Sequence, residues 1–234
     1  MPKPAQQYRN RVLAALPKAE IARLKPHLHP VTLKLRMPLL DGKRPTYAYF
    51  PEDGLASVVL PMKHGSSVEV GVIGRDGMVG LPYLLGGDRM PGKTYIQVSG
   101  SGFRIDAKRL KKEFERPGEL RRHLNKYLLA NLVQSAQNAA CNRKHNIEQR
   151  LARWLLTCHD RLQSDHMALQ QGFLAQMLGT PRTTVTLAAV MLRKAGLIEY
   201  SRGILVIKNR PRLERAACEC HGIVYDEFQR LGLL

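Results

Sequence analysis

The spacing of apolar residues changes character three times along the chain. Over residues 8–28, Leu13, Leu16, Ile21 and Leu24 recur at helical intervals with Pro17 between the pairs. That predicts one or two short amphipathic helices interrupted at the proline. From Val31 the period drops to two. Val31-Thr-Leu-Lys-Leu-Arg36 and Val68-Glu-Val-Gly-Val72 alternate apolar and polar side chains, and residues 47–50, 55–60, 94–98 and 102–106 add further short runs. Asp41-Gly42, Glu52-Asp53-Gly54, His64-Gly65, Gly74-Arg-Asp-Gly77 and Gly86-Gly87 separate them. Many short strands punctuated by glycine and aspartate predict a β-sandwich or barrel at about residues 30–107.

After Pro117-Gly118 the helical period returns. Leu120, Leu124, Leu128, Leu132 and Ala136 step by four, and Leu129 and Val133 widen the stripe. Ser135, Ala136, Ala139 and Ala140 then give it a small-residue end, which lets a second helix approach closely. Such a face can pack on the chain's own β-rich part or on a second copy. Cys141-Asn-Arg-Lys-His-Asn146 is a polar interruption that suits a hinge, and Ile147, Leu151, Trp154, Leu155 and Cys158 begin a fresh amphipathic helix.

The most informative stretch is Leu169 to Gly196. Leu174 and Met177 give a short helix its inner face, Gly179 suits a sharp turn, and Val185, Ala188, Ala189 and Leu192 recur at helical spacing. Thr180 is a good N-cap and Pro181 a good first residue for the second helix. Arg182, Thr183 and Thr186 are then left facing outward at its start. In a helix-turn-helix those positions reach base edges in the major groove. Leu197-Ile-Glu-Tyr200 and Ile204-Leu-Val-Ile207 flank Ser201-Arg202-Gly203, which predicts a β-hairpin wing, and Pro211 precedes a final helix.

Charge agrees with this assignment without locating it. Of 234 residues, 37 are Lys or Arg and 19 Asp or Glu, a net charge of +18 that favours a polyanionic partner. The excess is spread over both halves. Hydrophobic residues make up 44%, enough for a globular core. No nucleophile elbow, P-loop, zinc-protease or dinucleotide motif is present, so an enzyme is not expected. Met1-Pro-Lys-Pro-Ala-Gln-Gln7 has no apolar leader core, and no apolar run approaches the ~20 residues of a membrane span. A cytoplasmic protein without membrane contact is expected. The cysteines Cys141, Cys158, Cys218 and Cys220 are too few for a disulfide framework. Cys218-Glu-Cys220-His221 is a compact candidate metal cluster, but zinc usually takes four ligands, so these are taken as ordinary helix residues and no metal is expected.

The order of β-rich part, long helix and winged helix-turn-helix resembles the Crp/Fnr family of bacterial transcription regulators. So do Leu-Gly-Thr-Pro-Arg-Thr-Thr-Val-Thr and Gly-Leu-Ile-Glu-Tyr-Ser-Arg-Gly-Ile-Leu-Val-Ile. The resemblance implies an α+β chain: a cyclic-nucleotide-binding-like β-barrel or jelly roll over 1–116, a dimerisation helix and hinge over 117–146, and a winged helix-turn-helix over 147–234. It implies a homodimer on a palindromic double-stranded DNA site, with RNA polymerase as a further partner. It carries Gln170, Gln171 and Thr184 toward phosphates, and Arg182, Thr183 and Thr186 toward bases; Arg202 of the wing is a further DNA-contact candidate. Thr183 and Leu187 stand where the family often has Glu and Arg, so the base preference should differ. The alternative is a signal-binding or adaptor protein with a vestigial winged helix.

For an effector the corresponding pocket residues are Gly80, Leu81, Lys93 and Thr94. Cyclic-nucleotide binders in the family use a Gly-Glu pair for the ribose and an Arg-Ser or Arg-Thr pair for the phosphate. Here Leu81 replaces the carboxylate and Gly92-Lys93 the arginine, so cyclic AMP is not expected and the effector is unassigned. No cysteine precedes Cys141, which argues against the N-terminal iron–sulfur cluster of the oxygen-sensing branch, and no cofactor is expected.

Overall fold

The computed structural model describes residues 8–63, 67–89, 91–169, 171–201 and 203–234. Two short helices, α1 (Arg11–Ala14) and α2 (Lys18–Leu24), open the chain, with Pro17 between them as its sequence position suggested. Asn10 caps α1 by accepting from the Leu13 N–H, and its amide also donates to the carbonyls of Pro51 and Gly77 at 2.9 and 2.8 Å. One buried asparagine thereby ties the start of α1 to the chain at Pro51 and at Gly77.

The β-rich part contains β1 (His29–Leu33), β2 (Pro38–Asp41), β3 (Tyr47–Pro51), β4 (Leu55–Pro61), β5 (Ser67–Ile73), the short helix α3 (Leu81–Leu84), β6 (Lys93–Val98) and β7 (Gly100–Asp106). Its strands form two antiparallel sheets, ordered β1-β7-β3 and β2-β6-β4-β5. Of the expected sandwich or barrel, the described strands make the two-sheet form. The edge strand β2 was not anticipated. It begins at Pro38, which lacks the N–H a central strand needs, and its pairing with β6 slips at a bulge after that proline.

Between the sheets lie Leu33, Leu39, Tyr49, Ala56, Val79 and Ile96. The outer face of the three-stranded sheet, with Ala48, Phe50, Phe103 and Ile105, packs on α1, α2 and α4 (Ala107–Glu115). The outer face of the four-stranded sheet is also covered. Leu55, Val59 and Val72 belong to one core with the C-terminal helices. Strand β4 therefore buries both its faces, which is why it reads as a nearly continuous apolar run.

The long helix α5 (Glu119–Lys144) continues through Cys141-Asn-Arg-Lys144 and breaks at His145. The expected hinge over 141–146 is thus confined to its last two residues. Asn146 restarts the chain as α6 (Ile147–Leu162) through a reciprocal capping box: its side chain accepts from the Gln149 N–H at 2.9 Å, and Gln149 accepts from the Asn146 N–H at 3.2 Å. Then come β8 (His166–Ala168), α7 (Gln171–Leu178), α8 (Arg182–Lys194), β9 (Ile198–Ser201), β10 (Ile204–Ile207), α9 (Arg210–Ala216) and α10 (Cys220–Arg230). The last helix returns to the N-terminal half, where Val224, Phe228, Leu231 and Leu233 join the core around α5.

Candidate nucleic-acid interface

Helices α7 and α8 are packed by the residues their spacing selects. Leu174, Met177 and Leu178 of α7 and Val185, Ala188 and Leu192 of α8 are buried with Leu151, Leu155 and Trp154 of α6. Between the helices Gly179 has φ +58°, a left-handed conformation that glycine adopts without a Cβ clash. The start of α8 differs in one detail from expectation. Pro181 is the N-cap and Arg182 the first helical residue, while the Thr180 hydroxyl donates to the Leu178 carbonyl at 3.0 Å. Proline cannot donate an N–H, so it fits the cap as readily as the first turn.

The outward face of α8 carries Arg182, Thr183, Leu187, Met191, Arg193 and Lys194. Among the described residues none pairs with Arg182, so its guanidinium is available to an external acceptor. Thr184 and Thr186 are half-buried. The Thr186 hydroxyl donates to the Arg182 carbonyl at 2.8 Å. Leu187 is 66% exposed and Met191 57% exposed, an apolar pair on an otherwise polar helix face. Strands β8, β10 and β9 form a small antiparallel sheet. Its tip is held by the Leu169 N–H donating to the Gly203 carbonyl at 2.9 Å and by the Tyr200 hydroxyl donating to the Leu169 carbonyl at 2.8 Å. Gln170 and Arg202 lie outside the described residues, as does the side chain of Gln171.

In this conformation α7 is docked on the four-stranded sheet. The Tyr95 and Phe173 rings sit 6.0 Å apart, Gln176 donates to Ser67 and accepts from the Tyr95 hydroxyl, and the Ser57 hydroxyl points at the Met177 sulfur at 3.2 Å. Behind α7, the Glu69 carboxylate accepts from the Trp154 indole at 2.7 Å and from the Ser57 hydroxyl. Glu69 is half-buried as a residue, but its carboxylate points inward. Burial pushes its pKa up to about 7, against the opposing pull of those two hydrogen bonds and of Arg153 and Arg161. A second polar contact joins the same parts: Arg161 of α6 pairs with Asp76 at 3.0 Å, donates to Gln134 of α5 at 3.0 Å and lies over the Phe228 ring of α10. Both partners are buried. Gly74 is required there, since a Cβ would come within 2.7 Å of the Arg161 side chain.

A cavity of about 230 Å³ opens between the four-stranded sheet and α5. Gly80, Leu81 and Thr94 line it, together with Val58, Tyr127, Leu128 and Ser135. Lys93 does not. As its neighbour on the pleated strand it points the opposite way, into a groove with Arg36, Tyr95 and Phe173. Among the described residues no carboxylate or cationic side chain lines the cavity.

Residues 149–216 match the family model of the Crp-like helix-turn-helix domain. The chain is a DNA-binding transcription regulator with a Crp-like helix-turn-helix domain. The fold of this regulator is shared across most of its length by solved structures. FixK2 from Bradyrhizobium japonicum is 17% identical, with a TM-score of 0.70 over 82% of this chain and 98% of that one. A CRP-family regulator from Thermus thermophilus is 17% identical, with a TM-score of 0.66 over 80% and 96%. A Crp/Fnr-family regulator from Eubacterium rectale is 15% identical, with a TM-score of 0.65 over 86% and 94%. No curated protein sequence matches the chain. Within the regulator's described residues no helix is long and apolar enough to cross a membrane.

Three features of the regulator escaped sequence reasoning. Glu69 and Trp154 are distant in sequence, and a lone glutamate in an alternating strand looks solvent-facing. Asp76 sits in a Gly-Arg-Asp-Gly turn whose two glycines were a signal of close approach. The third is a correction: Cys218 and Cys220 do converge with metal-ligand chemistry, but on Cys141 and His145 of the α5 terminus. His221 instead bonds Asp160 at 2.8 Å, beside Arg210.

Proposed function

We propose that the regulator acts in the cytoplasm as a homodimer on a palindromic DNA site, inserting the first turn of α8 of each copy into successive major grooves. The observation that carries this is Arg182, exposed and without a partner among the described residues, at the start of a helix whose opposite face is buried. Arginine is the commonest reader of guanine, through O6 and N7, and Thr183 and the Thr186 methyl stand beside it. Leu187 and Met191 suit apolar contact with thymine methyl groups. Thr184, Gln170, Gln171 and Arg202 are assigned to the phosphates and the groove edge.

The dimer is supported by the outer side of α5. Leu129, Leu132, Ala136, Ala139 and Ala140 are exposed at spacings of three and four, and Leu132 keeps 60% of its surface. A seam of that spacing with a small-residue end fits a second α5 packed alongside. Leu128 belongs to the cavity wall, so the seam is narrower than the stripe in the sequence. The effector is assigned to the cavity walled by Gly80, Leu81 and Thr94. With no charged side chain among the described residues lining it, the cavity suits a small, mainly uncharged molecule better than cyclic AMP. RNA polymerase is the further partner such a regulator needs in order to act on transcription.

The test is footprinting of the full chain on genomic fragments, followed by Arg182→Ala. The wild type should protect paired half-sites about 34 Å apart on one face of the duplex. Arg182→Ala should lose about 1–3 kcal/mol of specific binding and its preference at one position per half-site. An Arg182→Ala protein that binds as tightly and as selectively as wild type would refute α8 as the reading helix.

A further inference from the structure

Cys141, His145, Cys218 and Cys220 come from two ends of the chain and meet in one place. Cys141 and His145 occupy the last turn and cap of α5; Cys218 and Cys220 occupy the link between α9 and the first turn of α10. The three thiols are buried and His145 is half-buried. The Cys141 and Cys218 sulfurs are 3.5 Å apart, and the Cys220 sulfur is 3.6 Å from His145 Nδ1. All four donor atoms lie within 4.8 Å of one another.

We infer that these four side chains form a structural zinc site of the Cys3His type. A zinc ion with bonds of about 2.0–2.3 Å to N and S gives a tetrahedron with edges of about 3.3–3.8 Å. The Cys141–Cys218 and Cys220–His145 pairs already match those edges. The donor set is also the one zinc prefers, three soft thiolates and an imidazole with no open position. An iron–sulfur cluster places several atoms between its cysteine sulfurs, whereas a donor set this compact has room for a single ion.

The surroundings fit a metal-bound form independently of the ligands. His145 turns Nδ1 toward Cys220 and Nε2 toward the Glu219 carboxylate at 3.2 Å. A carboxylate on the far nitrogen is the usual partner of a metal-bound histidine, since it fixes the tautomer and the ring plane. Gln137, one turn before Cys141 on α5, donates its amide to the Cys220 sulfur at 3.0 Å, as a hydrogen bond to a thiolate requires. Three thiolates on one divalent ion leave a net negative charge. Arg150 and Arg153 of α6 supply positive charge toward Cys141.

The position gives the ion a defined task. Its ligands bracket the entire helix-turn-helix and wing, so the ion fastens both ends of the DNA-binding part to the terminus of α5. Metal binding is then coupled to the stability and orientation of that part.

The test uses the full chain, purified under reducing conditions without chelator. Elemental analysis should find about one zinc per chain. After removal of the metal with a strong chelator, added Co(II) should give the intense visible bands of a tetrahedral ion and a sulfur-to-cobalt charge-transfer band. Those bands should bleach when one equivalent of Zn(II) is added. The double variant Cys218→Ser, Cys220→Ser should lose the ion, whereas Cys158→Ser, whose thiol lies in a different core, should retain it. If the double variant does not fold, cobalt titration of the demetallated wild type carries the test alone. A reduced wild-type protein that holds only substoichiometric metal and gives only the weak spectrum of octahedral Co(II) overturns the proposal. Isolation with a Cys141–Cys218 disulfide and no metal does so as well.

Discussion

Glu69 offers the sharpest quantitative test of how the four-stranded sheet holds the C-terminal helices. Its carboxylate is faced by Ser57 of β4, Tyr95 of β6 and Arg153, Trp154, Cys158 and Arg161 of α6, with Met177 of α7 against Ser57. Burial raises its pKa from the ordinary 4.5 to about 7. Between those values the folded chain keeps a proton that the unfolded chain has released. The stability this group contributes is therefore complete below about pH 4.5 and is lost as the pH rises through 7. At roughly 1.4 kcal/mol per pH unit the loss amounts to about 3 kcal/mol. Glu69→Gln mimics the protonated acid, because its amide oxygen can still accept from the Trp154 indole and its amide N–H can donate to Ser57. The variant should match wild type near pH 5 and exceed it by about 2–3 kcal/mol near pH 8.5, measured by urea unfolding at both pH values. Taking the difference between the two proteins cancels other titrating groups. His123, whose pKa is lowered by burial, has the opposite slope and is present in both. A difference independent of pH would refute an enclosed carboxylate at this position.

Leu129→Glu with Leu132→Glu places like charges in the α5 seam, and sedimentation should then report a monomer where the wild type is a dimer; a wild type monomeric at micromolar concentration would refute the seam. Asp76→Ala removes the partner of the buried Arg161 and should cost about 3–5 kcal/mol in thermal or urea unfolding. A loss below about 1 kcal/mol would mean that water reaches the guanidinium. Calorimetry with cyclic AMP and cyclic GMP should find nothing tighter than about millimolar, roughly −4 kcal/mol. Micromolar affinity for either would refute the uncharged cavity as the effector site.

Elements whose signal is local were legible in the sequence. The turn at Gly179, the buried positions of α7 and α8, the wing strands and the break at Pro17 all follow from residues within a few positions of each other. Strand β2 was not, because Pro38 argues against a strand unless it lies at an edge, and edge position is a property of the whole sheet. The apolar stripe of α5 was visible, but its division was not. Leu120 and Leu124 enter the chain's own core, Leu128 walls the cavity, and Leu129 and Leu132 stay outside. Periodicity marks a face without saying what will cover it. The same limit hid the cysteine cluster. Cys218 and Cys220 announced two ligands, but the other two lie 73 or more residues earlier and meet them only because α10 folds back along α5.

Gly77 constrains how this regulator can diverge. A Cβ there would overlap the Tyr127 ring, which fills the space a side chain would take. Tyr127 is fully buried, walls the cavity and sits beside the Asp76 turn that receives Arg161. Positions 77 and 127 can therefore change only together: any residue larger than glycine at 77 demands a smaller one at 127 in the same lineage. Among descendants of this sequence the two sites should covary as a pair. A relative with alanine or serine at 77 should have surrendered the tyrosine and, with it, one wall of the cavity. The selectivity of the cavity and the geometry of the joint between sheet and α6 would then shift in a single evolutionary step.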